Sequence, residues 1–235
     1  MPALLPPPAR HVAVSVLTCC AIFVGAAGTV VLRLPRAQRL DTAINGAVQG
    51  AVGQHQNALD LVAGLGETVD VSVVLVILVA LCLALRRLNG ALLAAIAIPL
   101  APALTDYVFK TLFAPPHPYG SFPSGHTTAA FAVATVVAVL LAAPGKRLSG
   151  QSRLVMALAA LLAAAAVGVA VIGLGIHTAT DALGGAGVGA FVALSVALLL
   201  DLRLVRRLLA LVADSLMGLP RRFRGSPPRT SDPAG

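Results

Sequence analysis

Three histidines, a lysine and an aspartate in this 235-residue chain stand where long apolar runs end. Lys110 closes one run; His117-Pro118 and then Pro123-Ser124-Gly125-His126 lead into the next. His177 closes a later run and Asp181 opens the last. Lysine is a point charge for an anion. Ser124 and Gly125, just ahead of a helix, offer a hydroxyl and backbone N–H groups at the positive end of the helix dipole, a site suited to phosphate. Pro123 fixes the turn, and Gly125 lets a ligand approach the backbone closely. His177 and Asp181 are four apart, so a helix running through both puts them on one face. A carboxylate bonded to one imidazole nitrogen fixes the tautomer and leaves the other nitrogen free to attack. His126 is then the general acid to a leaving oxygen. An anion cradle, an oriented imidazole and a proton donor specify phosphoryl transfer through a covalent histidine.

The elements that must bring these strips together are membrane spans. Hydrophobic residues make up 58% and charged residues 11%, against roughly 45–50% and 25% in soluble domains. That excludes a water-soluble globule, which needs more polar surface, and a disordered chain, which needs less apolar content. Apolar stretches at 12–32, 71–85, 91–107, 127–143, 154–176 and 182–200 predict an all-α bundle of six transmembrane helices over 1–200. The second stretch is short for a bilayer, so it is expected to begin near Leu65, with Arg86 and Arg87 snorkelling at its far end. The first has signal-peptide features, Arg10 before it and small residues at 25–28, but its length predicts an uncleaved helix.

Six spans put both termini on one side. Segments on that side carry Arg10, Arg86, Arg87, Lys146, Arg147, Arg153 and seven tail arginines. The other side carries only Arg33, Arg36, Arg39 and Lys110. The positive-inside rule therefore predicts cytoplasmic termini and an outward-facing site. Arginine in place of lysine, with abundant alanine, fits a bacterial plasma membrane. Residues 40–52 are expected to form an amphipathic interfacial helix capped at Asp41. Residues 201–217 read as a basic amphipathic helix on the inner leaflet, and 218–235 as a disordered tail.

Other readings weigh less. Net charge +8 comes without tryptophan and with only 4% aromatic residues, so nucleic acid is not an expected partner. Cys19, Cys20 and Cys82 read as small hydrophobes. Asp106 and Lys110 are four apart, which favours a charge pair over a catalytic carboxylate. Three histidines and an aspartate suggest zinc, but no His-x-x-x-His or cysteine spacing supports it, so no metal is expected. His11 and His55 read as interfacial polar residues, and Gly185 and Gly189 as close helix packing.

The chemistry-bearing strips resemble the type 2 phosphatidic acid phosphatase superfamily, which also contains vanadium haloperoxidases. Its motifs read Lys-x6-Arg-Pro, Pro-Ser-Gly-His and Ser-Arg-x5-His-x3-Asp. Here they stand as Lys110-x6-His117-Pro118, Pro123-Ser124-Gly125-His126 and Ala170-Val171-x5-His177-x3-Asp181. The resemblance implies a lipid-phosphate phosphatase with no metal or other cofactor, acting on a lipid phosphate or a polyprenyl (pyro)phosphate. It implies His177 as nucleophile, Asp181 as its orienter and His126 as acid, with Lys110, Ser124 and Gly125 on the phosphate. Both family arginines are replaced, one by His117 and one by Val171. Protonated His117 is expected to contribute charge, and one of Arg33, Arg36 and Arg39 to reach the pocket. The alternatives are a non-catalytic relative that binds lipid phosphate or supports a complex, and a phosphotransferase.

Overall fold

The computed structural model describes residues 3–31, 35–113, 122–143 and 148–203, with 205, 207, 208 and 211. The side chains at 30, 31 and 35–38 are outside that description. The described residues are all-helical, with no strand. In order they form α1 (Pro7–Val31), α2 (Pro35–Val52), α3 (Gln56–Gly64) and α4 (Thr68–Ala84). These are followed by α5 (Leu88–Leu112), α6 (Gly125–Ala142), α7 (Gly150–Gly173) and α8 (Ala179–Leu200). Five of them (α1, α5, α6, α7 and α8) are long and apolar enough to cross a membrane. The second expected span, at 71–85, is part of a bent pair, α3 and α4, which meet at 46°. The expected start near Leu65 falls in this break, and α4 itself begins at Thr68 behind an extended Glu67.

The core is built on α8, which packs against α6, α1 and α5. Its glycines make this approach close. A Cβ on Gly185 would fall onto the Ser124 carbonyl oxygen and 3.1 Å from the Thr127 Cβ, and one on Gly189 would meet the Thr128 carbonyl. Small residues that admit a neighbouring backbone are how helices associate in lipid, where tails and side chains are equally apolar. Polar side chains in the core are bonded locally. Thr128 Oγ1 donates to the Ser124 carbonyl at 2.8 Å, and Thr105 Oγ1 on α5 donates to Thr128 Oγ1 at 3.1 Å.

α2 departs from the sequence expectation at its start. Proline is suited to a first helical turn, and the helix begins at Pro35, so Asp41 lies inside it and is no cap of α2. Asp41 is 6% exposed and turns to another helix end: Thr180 donates to its Oδ1 from N at 2.9 Å and from Oγ1 at 2.8 Å. Leu40 and Ile44 are exposed, while Val48 and Val52 pack with Leu59 of α3 and Ile172 of α7. At the opposite end of the bundle, buried Asp201 follows α8 and gathers the start of the chain. It accepts the Leu4 and Leu5 N–H groups at 2.8 and 2.9 Å and pairs with Arg10 at 3.4 Å. Of the 201–217 segment, residues 203, 205, 207, 208 and 211 are helical. Residues 204, 206, 209, 210 and 212–217 and the tail 218–235 lie outside the described residues.

The glycine seam gives a direct test. Gly185→Ala is expected to destabilise the protein by about 1–3 kcal/mol through overpacking. Gly46→Ala, where a Cβ meets nothing within 4 Å, should leave the thermal unfolding midpoint in detergent unchanged or higher. Equal midpoints for the two variants would contradict the packing account.

Candidate active site

The His177–Asp181 couple is assembled from two helix ends. α7 closes with Gly175 at φ 73°, the left-handed conformation that glycine takes without penalty. Ile176 N–H bonds back to the Val171 carbonyl at 3.0 Å and Gly175 N–H to that of Ile172 at 2.9 Å, the bonds of a Schellman cap. α8 then starts with a capping box. Thr178 Oγ1 accepts Asp181 N–H at 3.2 Å, and Asp181 Oδ2 accepts Thr178 N–H at 3.0 Å. No helix runs through His177 and Asp181, contrary to the spacing argument. The box nevertheless turns the carboxylate back, so that Asp181 Oδ2 lies 3.7 Å from His177 Nδ1, with both side chains under 10% exposed. That is ion-pair distance, longer than a formed hydrogen bond.

The second histidine is held against the first by the glycine seam. Ser124 caps α6: its Oγ accepts Thr127 N–H at 3.4 Å and the Thr127 hydroxyl at 3.2 Å. Its backbone N–H donates to the Asp181 carbonyl at 2.9 Å, tying the two motifs together. His126, in the first turn, places its ring centroid 6.3 Å from that of His177, the planes 63° apart. Gly66, in the break between α3 and α4, presses on the His126 backbone; a Cβ there would come within 2.8 Å of the carbonyl oxygen.

Lys110 arrives from the end of α5, after a π-helical turn at Thr105–Phe109. Its Nζ lies 2.7 Å from Asp106 Oδ1, the charge pair that the spacing predicted. A Cβ built on Gly125 would lie 4.0 Å from both atoms. The ammonium therefore sits beside the first turn of α6, where no described residue bonds the Gly125 or His126 N–H. Lys110, Gly125, His126 and His177 line one cavity of about 550 Å³. Glu67, Ser72 and Asp106 add polar wall, and Leu75, Ile98, Pro99 and Pro102 form an apolar side.

Among the expected residues, Asp181 sits behind His177, and Ser124 is fully buried beneath the cradle. His117 and Arg33 lie outside the described residues, as does the side chain of Arg36. Arg39 is an exposed residue of α2. Val171, where the family carries arginine, is fully buried in the core. Sequence reasoning missed Glu67 and Gly66, which carry no motif. It also missed Thr178, although Thr-x-x-Asp ahead of an apolar run is a capping signal.

These features define a class: a helical, multi-pass membrane protein with His126 and His177 together at one end of the bundle. The chain belongs to the PAP2 superfamily, whose model matches residues 71–204, more than half its length. In fold it is similar to a crystal structure described as the first transmembrane PAP2-type phosphatidylglycerolphosphate phosphatase from Bacillus subtilis. The TM-score is 0.64 at 22% identity, over 80% of this chain and 95% of that one. No curated protein matches it.

The capping box should be measurable. Thr178→Ala is expected to cost about 1 kcal/mol, the usual value of a lost N-cap, seen as a lower unfolding midpoint. An unchanged midpoint would mean that the box does not hold the start of α8.

Proposed function

We propose that the protein hydrolyses a lipid phosphate monoester or pyrophosphate through a phosphohistidine at His177. One observation carries this reading: the paired imidazole of His177 and the open N-terminus of α6, with Lys110 beside it, face each other across one cavity. Nε2 of His177 attacks phosphorus while Nδ1 is turned to Asp181. The N–P bond forms as the bond to the lipid oxygen breaks, and His126 protonates that oxygen. Water then attacks the phosphohistidine, giving its proton to His126 and releasing inorganic phosphate with neutral His177. Lys110 and the Gly125 and His126 N–H groups hold the phosphate oxygens, and Ser124, expected among them, supports that turn from beneath as the cap of α6. His117 and one of Arg33, Arg36 and Arg39 add positive charge in place of the family arginines.

The apolar wall suits a lipid whose chain stays among α4 and α5. The distribution of basic residues supports a bacterial inner membrane, with cytoplasmic termini and the cavity on the outer face. Phosphatidylglycerolphosphate, the substrate in the name of the similar Bacillus subtilis protein, heads the candidates, beside phosphatidic acid and polyprenyl pyrophosphate. Burial of Val171 in the core favours a second reading, a non-catalytic binder of lipid phosphate, because the position where the family carries arginine brings no guanidinium.

Phosphate release by the purified protein from these three lipids decides between them. His177→Ala is expected to lower release by roughly 10³-fold or more, and an acid-labile phosphoenzyme should be trapped only when His177 is present. Release undiminished in the variant would overturn the assignment, and no release from any lipid by the unaltered protein would favour the binder. Release that requires an added lipid acceptor would mark a phosphotransferase. Asp106→Asn, which frees Lys110 from its partner, should strengthen inhibition by orthovanadate about two- to fivefold, the range of an exposed ion pair. Unchanged inhibition would remove Lys110 from the phosphate cradle.

A further inference from the structure

We propose that α2 is a splint that fixes the His177 link for reaction, with Asp41, Asn45 and Gln49 as positioning residues; the inference rests on the phosphohistidine reading. The three recur every fourth position, so they form one stripe along the helix. Each reaches a backbone group at a helix end flanking His177. Gln49 Nε2 donates to the Ile172 carbonyl at 3.3 Å, in the last turn of α7. Asn45 Oδ1 accepts Ala179 N–H at 2.9 Å, and Asp41 Oδ1 accepts Thr180 N–H at 2.9 Å, both in the first turn of α8. One helix thus grips the link 174–178 on both sides.

The start of a helix leaves its first N–H groups without intrahelical partners. At α8 the first three are all satisfied from outside the helix: Ala179 by Asn45, Thr180 by Asp41 and Asp181 by Thr178. At α6, Ser124 takes only Thr127, and the Gly125 and His126 N–H groups have no bond to a described residue. Two helix N-termini therefore stand side by side at this end of the bundle. α2 closes one of them with a buried carboxylate and side-chain amide, so the substrate phosphate meets only the other. The same bonds hold the backbone on either side of His177. Its imidazole is then kept in line with a phosphorus atom positioned by α5 and α6.

None of the three residues touches the reacting atoms in this scheme, so their loss should appear in turnover and not in substrate affinity. With the full chain in detergent, Asp41→Ala and Asn45→Ala are expected to lower kcat per folded molecule about 10- to 100-fold, the cost of a misplaced reacting group. KM should stay within about twofold, because the cradle lies on other helices. Asp41→Asn keeps the acceptor oxygen and should restore most of the rate. Should Asp41→Ala fail to fold, Asn45→Ala and Gln49→Ala each remove a single bond and carry the test.

Unchanged kcat, a rise in KM at constant kcat, or an Asp41→Asn variant as slow as Asp41→Ala would each overturn the proposal. A second readout does not require turnover. In histidine-selective ¹⁵N spectra the Nδ1–H tautomer signal of His177 should be single in the unaltered protein and in Asp41→Asn, and mixed in Asp41→Ala. A single signal in all three would overturn the splint. Wild-type protein that releases no phosphate from any lipid sinks the phosphatase reading alone, and the spectra still decide this one.

Discussion

One backbone hydrogen bond, from Ser124 N–H to the Asp181 carbonyl, joins the start of α6 to the start of α8. It can form only because Gly185 brings no side chain to that contact. Two strips of chain more than fifty residues apart are thereby set in register, and with them His126 and His177. Lys110 then needs only the end of α5 to stand beside α6, which the Thr105–Thr128 bond helps to secure. The chemistry of the site thus depends on backbone approach within the membrane, where small residues do what burial from water does elsewhere.

Around that bond the two histidines are held differently. His177 lies between helices and is fixed by a Schellman turn, a capping box and the polar stripe of α2. His126 lies in a helix and is backed by Gly66. The arrangement separates His177 from the open first turn of α6, since the two belong to different helix N-termini. The carboxylates at the rim, Glu67 and Asp106, leave the cavity less positive than two family arginines would.

Most of the architecture was legible in the sequence, because apolar runs long enough for a bilayer leave few alternatives to spanning helices. The Pro-Ser-Gly-His string marked the start of α6, and Gly185 and Gly189 behaved as the packing pair their spacing suggested. The misses have physical causes. The α3–α4 span is bent at Gly66, where His126 leaves no room for a side chain, and hydropathy averages cannot see such a clash. Asp41 had the residue type and neighbours of an N-cap, and it does satisfy helix N-terminal groups, but those of α8. Local pattern identifies what a carboxylate can bond, whereas tertiary packing decides which backbone it meets. His177 and Asp181 were paired for the wrong reason: the four-residue spacing works through a capping box, not along a helical face.

The clasp at Asp201 bears on how the chain is built. α1 is made well before its seat, α8, where Val24 fills the space above Gly187 and the Leu4 and Leu5 amides reach the carboxylate. During synthesis α1 must therefore wait in lipid until α8 emerges, since their contact joins residues distant in sequence. Its largely unburied, mostly apolar surface suits that wait, and the contact closes when the Leu4 and Leu5 amides reach Asp201.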